Sequence, residues 1–239
     1  MKNRLSIINN FKKDGFVIIR GLFSKNLCNE SLKKIKKIKS FEQQKKRKEI
    51  IFYKNKNLKE IKYFKNINFY ITEFNSFYSN KLLDVASNLL NTGVYFFNMG
   101  YHEKKEKTYF STPPHQDNFY WCREPSKALT AFVALNKQNY KTGGVGYLPG
   151  SHNGKLRRHQ KSKVSAFSSY IELENKITKN FVYPNLETGD VVFHHCKTIH
   201  NSSSNQSKIL TKKSLAITIY GDKTKTNQNL KKKYMQNVR

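Results

Sequence analysis

The chain has 239 residues, of which 45 are Lys or Arg and 16 are Asp or Glu, giving a net charge of +29. Its 37% hydrophobic and 13% aromatic content exclude a disordered chain and suit one domain with a real core. No apolar run approaches the roughly 18 residues of a membrane span, no signal-peptide stretch opens the chain, and Cys28, Cys122 and Cys196 lack the spacing of a disulfide scaffold or zinc ribbon, so a cytoplasmic single-domain protein is expected.

In chain order, residues 5–13 (LSIINNFKK) read as a short helix and GFVIIRGLF (15–23) as a buried, β-branched strand. Ser24 is placed to cap the next helix, where Leu27, Leu32, Ile35 and Ile38 recur at helical spacing to about residue 39. Residues 40–68 mix aromatics with lysines and fit neither period. Residues 75–90 (NSFYSNKLLDVASNLL) form an amphipathic helix ended by Asn91-Thr92-Gly93. From residue 94 the period changes to two. Strands are expected at 94–103, 128–135, 144–150, 190–200 and 214–222, with turns at Thr142-Gly143-Gly144 and Glu187-Thr188-Gly189-Asp190. The expected fold is mainly β (α+β), an antiparallel sandwich or barrel with helices packed on it. One domain over 1–222 divides into a helical part, 1–93, and a β-core, 94–222. Residues 223–239 read as a basic surface tail.

The chemistry concentrates in PPHQDNFYW, where His115 and Asp117 stand two apart, and in DVVFHHCKTIH, whose last residue is His200. Alternate residues of extended backbone face one way, so an H-x-D pair can hold one ion. A distant third His completes the 2-His-1-carboxylate face that binds Fe(II) and leaves positions open. The chain has only five Asp, and one of them lies beside a His. Alone, an H-x-D in a loop is a common surface pair, and its surroundings decide.

Those surroundings carry a resemblance. HQDNFYW (115–121), the Gly-Gly turn leading to YLPGSHNGKLRRH (147–159), and GDVVFHHCKTIHNSSSNQS (189–207) resemble the phytanoyl-CoA dioxygenase family. These are Fe(II)- and 2-oxoglutarate-dependent oxygenases on a double-stranded β-helix (jelly-roll) core. GFVIIRGLF resembles the family's opening strand, so the likeness spans roughly residues 11–222. It implies His115, Asp117 and His200 as iron ligands, with Tyr120 and Trp121 walling the pocket. His152, His194 and His195 fall at no ligand position and read as structural; Arg158 and His159 read as substrate contacts.

The cosubstrate site shows a departure. Where the family places an Arg about a dozen residues past the distal His, this chain reads ILTKKSLAITIYGD. Allowing one extra residue, Lys212 takes the place of that Arg; shifting the gap nominates Lys213. Lysine is a point charge without the bidentate fork of Arg. Ser202 and Thr130 match positions that supply hydroxyls to 2-oxoglutarate, and Asn98 and His102 share one face of an earlier strand. The resemblance implies decarboxylation of 2-oxoglutarate to succinate and CO2 with hydroxylation of a small molecule. Asp117 favours hydroxylation, because halogenating relatives carry a small residue there.

The charge is ambiguous by itself. Of the basic residues 38 are Lys and 7 are Arg, beside 26 Asn, the bias of A/T-rich codons. Readers of phosphates and bases rely on the Arg fork. The expected partner is therefore a small substrate, with an anionic one the second reading. Nucleic acid is the third, and a non-catalytic binding module on the same fold remains an alternative. Oligomeric state stays open.

Overall fold

The computed structural model describes residues 2–42, 49–52, 61–162 and 168–238. Helix α1 (Lys2–Asp14) runs into strand β1 (Phe16–Ile19) through Gly15, whose φ is +79°. A Cβ at Gly15 would collide with the His152 ring. The PGSH turn therefore buttresses this corner, and only glycine fits it. Ser24 caps helix α2 (Lys25–Glu42), its Oγ accepting from the Leu27 N–H at 3.1 Å. Cys28, Ser31 and Ile35 are buried on the inner face of α2, and the side chain of Ile38 lies outside the described residues.

The ambiguous stretch 40–68 holds two strands, β2 (Ile50–Phe52) and β3 (Ile61–Lys65), while 43–48 and 53–60 lie outside the described residues. The helix expected from 75 starts later. Residues Thr72–Tyr78 form a 3₁₀ helix, which eclipses i and i+3 and so buries Phe74 and Phe77 together. Ser79 is extended, and α3 (Asn80–Leu90) follows, closed by Asn91 in the left-handed region with its N–H on Ser87 O.

The β-core follows in order: β4 (Val94–Lys104), β5 (Thr112–His115), short helix α4 (Asp117–Trp121), β6 (Arg123–Glu124), β7 (Ala128–Ala134), β8 (Val145–Tyr147), β9 (Gln160–Lys161), β10 (Ser169–Tyr170) and α5 (Asn175–Thr178). Then come β11 (Val191–His195), β12 (His200–Ser202), β13 (Lys212–Gly221), β14 (Lys225–Thr226) and α6 (Gln228–Val238). A seven-stranded antiparallel sheet, β1-β11-β7-β13-β4-β3-β2, faces a three-stranded sheet, β5-β12-β8. This is the jelly-roll core with N-terminal helices laid on it. None of the described helices is long and apolar enough to cross a membrane.

Alternation along the large sheet sorts its side chains. Met99, Tyr101, Leu129, Ala131, Val133, Val191, Phe193, Leu215, Ile217 and Ile219 pack in one cluster with α1, α2 and α3. The intervening residues point between the sheets, where Phe132, Ala134, Val192, Tyr147 and Leu186 form a second cluster. The polar inner residues Thr130, His194, Lys212 and Thr218 share that face. The layered core thus creates the polar interior.

One expectation is corrected here. Residues 190–200 are not one strand: β11 ends at His195, the Thr198 N–H turns back to His195 O at 2.8 Å, and His200 opens β12 in the opposite sheet. His194 and His200 therefore approach from facing sheets. Residues 225–238 form a largely exposed segment in which β14 pairs with β6 and α6 packs on α4 through Tyr234.

Candidate metal centre

His115 ends β5, Asp117 begins α4 and His200 begins β12, directly opposite His115 in register. One potential ligand atom from each lies within 4.8 Å of the others. Asp117 Oδ1 stands 3.9 Å from His115 Nε2 and 3.7 Å from His200 Nε2. Both imidazoles are buried.

The tautomers follow from the partners. His115 Nδ1 meets Pro113 O at 2.9 Å and His200 Nδ1 meets Thr198 O at 3.0 Å. A carbonyl only accepts, so each Nδ1 carries the proton and each Nε2 turns a lone pair toward Asp117. Burial pushes both rings down to about 4, so they are neutral at physiological pH. Asp117 is set the same way. Its Oδ2 accepts from Thr130 Oγ1 at 2.8 Å and from His194 Nε2 at 3.2 Å, leaving Oδ1 for the two imidazoles. Burial alone would raise its carboxyl, but His200, His194 and His115 outweigh it and hold it below the ordinary carboxylate range. Two neutral nitrogens and one carboxylate on one side of an open space are the donor set of a 2-His-1-carboxylate iron site. The residues fit the ion.

Gln116, between the two ligands, is anchored on every side. Its N–H donates to His159 Nε2 at 3.1 Å, its Nε2 to Lys197 O at 2.7 Å, and its Oε1 accepts from the Arg157 N–H at 2.8 Å. His159 is buried and stacked on Phe119 at 3.9 Å. It therefore braces the H-x-D segment from behind and does not line the cavity, contrary to the substrate-contact expectation. Arg158 is exposed and stands with Gln160, Glu172 and Glu174, also outside the cavity.

A cavity of about 320 Å³ opens onto the triad. Tyr120, Trp121, Thr130, His102, Ser202 and Lys212 all line it, while Asn98 does not. Tyr120 is tied by its hydroxyl to Ser169 O at 2.8 Å, and Trp121 meets Tyr220 edge-on at 5.5 Å. Between the two candidate lysines the strand decides: Lys212 is buried and faces inward, whereas Lys213 is half-buried on the opposite side of β13. Burial pushes the Lys212 ammonium down to about 8.

Two residues in the site escaped the sequence reading. His194 was read as structural, yet it bonds Asp117 and lines the cavity. Its signal was present, because the alternation that sends Val191 and Phe193 to the helices sends His194 inward, beside Thr130 in register. Lys104 lies one residue past the expected end of its strand and two past His102, on the same face. Extending the alternation by a step would have found it.

Comparison with known proteins bears on this geometry. Residues 11–213 match the phytanoyl-CoA dioxygenase family. A probable alpha-ketoglutarate-dependent hypophosphite dioxygenase of Stutzerimonas stutzeri is 27% identical over 142 residues, 55% of this chain and 47% of that protein. The human peroxisomal phytanoyl-CoA dioxygenase is 33% identical over 103 residues, 40% of this chain and 30% of its own length. The chain thus matches less than half the length of these curated relatives. Among solved structures, the epimerase SnoN in complex with Fe3+, alpha ketoglutarate and nogalamycin RO superposes with a TM-score of 0.73 at 18% identity, covering 95% of this chain and 86% of SnoN. EvdO2 from Micromonospora carbonacea var. aurantiaca, complexed with 2-oxoglutarate, gives 0.73 at 16% identity over 93% and 92%. At such identities the likeness is one of fold.

Proposed function

The chain belongs to the phytanoyl-CoA dioxygenase family, and from that membership we propose that it is an Fe(II)- and 2-oxoglutarate-dependent dioxygenase that hydroxylates a small molecule. The observation that carries this reading is the triad: three ligand atoms within 4.8 Å, with both imidazole Nε2 lone pairs and one carboxylate oxygen converging. His115, Asp117 and His200 would hold the iron. Iron with 2-oxoglutarate supplies the activation of O2 and the oxidation of a substrate C–H bond, with release of succinate and CO2.

The chain's own residues do the rest. Thr130 and His194 keep Asp117 Oδ1 turned inward, and the carbonyls of Pro113 and Thr198 fix the histidine tautomers. Lys212 supplies a buried cation for the far carboxylate of 2-oxoglutarate, and Ser202 and His102 line the same cavity. Tyr120, Trp121 and Phe132 give the cavity apolar walls that limit water near the reacting centre. A cavity of about 320 Å³ suits a small substrate. Lys62, over the Phe110 ring at 4.3 Å, lends the lining positive charge and favours an anionic one. On this reading the dioxygenase domain runs beyond residue 222 to include α6, which packs beside α4.

The test is anaerobic titration of Fe(II) and then 2-oxoglutarate, following the metal-to-ligand charge-transfer band, and then succinate release over a panel of small acids and their neutral analogues. His115→Ala and Asp117→Ala should each abolish tight iron binding and turnover with the fold retained. Wild-type succinate formation in either variant would refute the assignment.

A further inference from the structure

The inner face of the barrel carries a second buried lysine that the proposed chemistry does not yet use. Lys104 ends β4 and Lys212 begins β13, and the two stand directly opposite in register. Directly opposed residues have Cβ atoms about 4.5–5.5 Å apart, and like charges there are destabilising. Both side chains line the cavity, at 6% and 4% exposure. Neither forms a salt bridge among the described residues. Lys104 Nζ donates to Ser202 Oγ and to Ser203 O, each at 2.6 Å. An ammonium has three donors, so one remains. Lys212 Nζ makes no hydrogen bond among the described residues and lies 5.3 Å from the centre of the Phe132 ring. The neighbouring acid, Glu103, contributes to the lining of the same cavity, but its side chain alternates to the other face of β4, where its Oε1 accepts from the Tyr101 hydroxyl.

Lys104 is built into this place. Its backbone carbonyl accepts from Asn205 Nδ2 at 2.9 Å. Its stem passes Gly143, at φ +83°, where a Cβ would come within 2.5 Å of Lys104 Cδ. The Gly-Gly turn, which needs glycine for its own φ, thus also leaves room for this side chain. Its hydrogen-bond partner Ser202 shares the inner face of β12 with His200. Two steps along the strand separate them by about 6.6 Å, a distance that a five-carbon diacid bridges.

We propose that Lys104 and Lys212 together clamp the distal carboxylate of 2-oxoglutarate, two point charges from adjacent strands replacing the single bidentate guanidinium that such a carboxylate otherwise favours. The inference rests on the dioxygenase reading above and adds a residue to it. A carboxylate has two oxygens and prefers two donors; one lysine offers a single charge, and a second from the neighbouring strand supplies the other contact. Without an anion the pair is costly. Burial first, and then the nearby ammonium groups of Lys212 and Lys62, push Lys104 down to about 6, so a carboxylate bound between the two lysines is what would hold both of them charged at neutral pH.

The experiment measures binding by calorimetry to the Fe(II)-loaded protein without oxygen, using 2-oxoglutarate and 2-oxopentanoate, which keeps the keto acid end and the chain length but lacks the distal carboxylate. Lys104→Met and Lys212→Met should each weaken 2-oxoglutarate by roughly tenfold or more and leave 2-oxopentanoate within about twofold of wild type. Lys213→Met, on the other face, should change neither. Should Lys104→Met fold poorly, Lys104→Gln keeps donors for Ser202 and Ser203 without the charge, and the same loss is expected. Full 2-oxoglutarate affinity in the Lys104 variants, with loss only in Lys212→Met, would overturn the clamp and leave the dioxygenase reading standing. Equal loss for both keto acids would also overturn it, by showing a general disturbance of the site. Failure of the wild-type protein to bind 2-oxoglutarate at all would instead remove the reading on which the clamp rests.

Discussion

Asp117 is held by two donors on Oδ2, Thr130 and His194, while its Oδ1 faces the two imidazoles. Removing one donor should loosen the ligand without deleting it. His194→Phe is expected to lower iron affinity by about 10–100-fold, the usual effect of losing a hydrogen bond to a metal ligand, while Thr130 still orients the carboxylate. Competition with a chromogenic chelator reads this, and an unchanged affinity would mean that Thr130 alone suffices. His159 makes a different prediction, about pH. Burial pushes it down to about 4, from an ordinary 6.5, and its Nε2 must stay unprotonated to accept from Gln116. Its folded value lies below its unfolded one. The unfolded chain therefore binds the extra proton between those values, and the stability His159 contributes is lost as pH falls from about 6.5 to about 4. The shift corresponds to about 3 kcal/mol at most. Urea denaturation of the metal-free protein at pH 7 and pH 4.5 should show a smaller loss in His159→Phe than in wild type; equal losses would place the titrating group elsewhere.

At the scale of elements, the C-terminal segment is tied to the front of the site. Strand β14 pairs Lys225 with Glu124 and Thr226 with Arg123, and the Asn227 N–H reaches Cys122 O at 2.7 Å. Tyr234 of α6 then meets Phe119 and Tyr120 edge-on at 5.5 and 5.8 Å. These rings belong to α4, the helix that starts at Asp117. Tyr234→Ala should destabilise the protein by about 1 kcal/mol, the scale of an aromatic pair. Ending the chain at Asp222 should lower the melting temperature further and speed proteolysis within α4. Protection of α4 identical to wild type in the shortened chain would show that α6 is not its brace.

The whole molecule carries +29, yet the candidate metal centre lies in a cavity between the two sheets rather than on a basic face. If the lysines coat a solvated surface, duplex DNA binding measured by fluorescence anisotropy should be weak, indifferent to sequence and lost as salt rises toward about 0.15 M. Sub-micromolar, sequence-dependent binding at that salt would restore nucleic acid as the partner. On the proposed clamp, the part of this charge that would meet the cosubstrate is the small part turned inward at Lys104 and Lys212.

Much of this was legible in the chain. The period-two runs at 94–103, 128–135 and 214–222 became β4, β7 and β13, because alternation is a local property that survives packing. H-x-D and the late His could be paired because the motifs around them, HQDNFYW, YLPGSHNGKLRRH and GDVVFHHCKTIHNSSSNQS, resemble the phytanoyl-CoA dioxygenase family. Other features required the tertiary structure. The break at residues 196–199, which moves His200 to the opposite sheet, follows from its pairing with β5 and β8, partners remote in sequence. The choice between Lys212 and Lys213 turned on which face of β13 meets the cavity, and a one-residue gap cannot be placed without that face. His194 and Lys104 acquired their roles only when Asp117 and Ser202 arrived beside them from other strands. Periodicity says which residues share a face; which faces meet, and hence which polar groups are left together in one cavity, is decided by long-range pairing that no local pattern encodes.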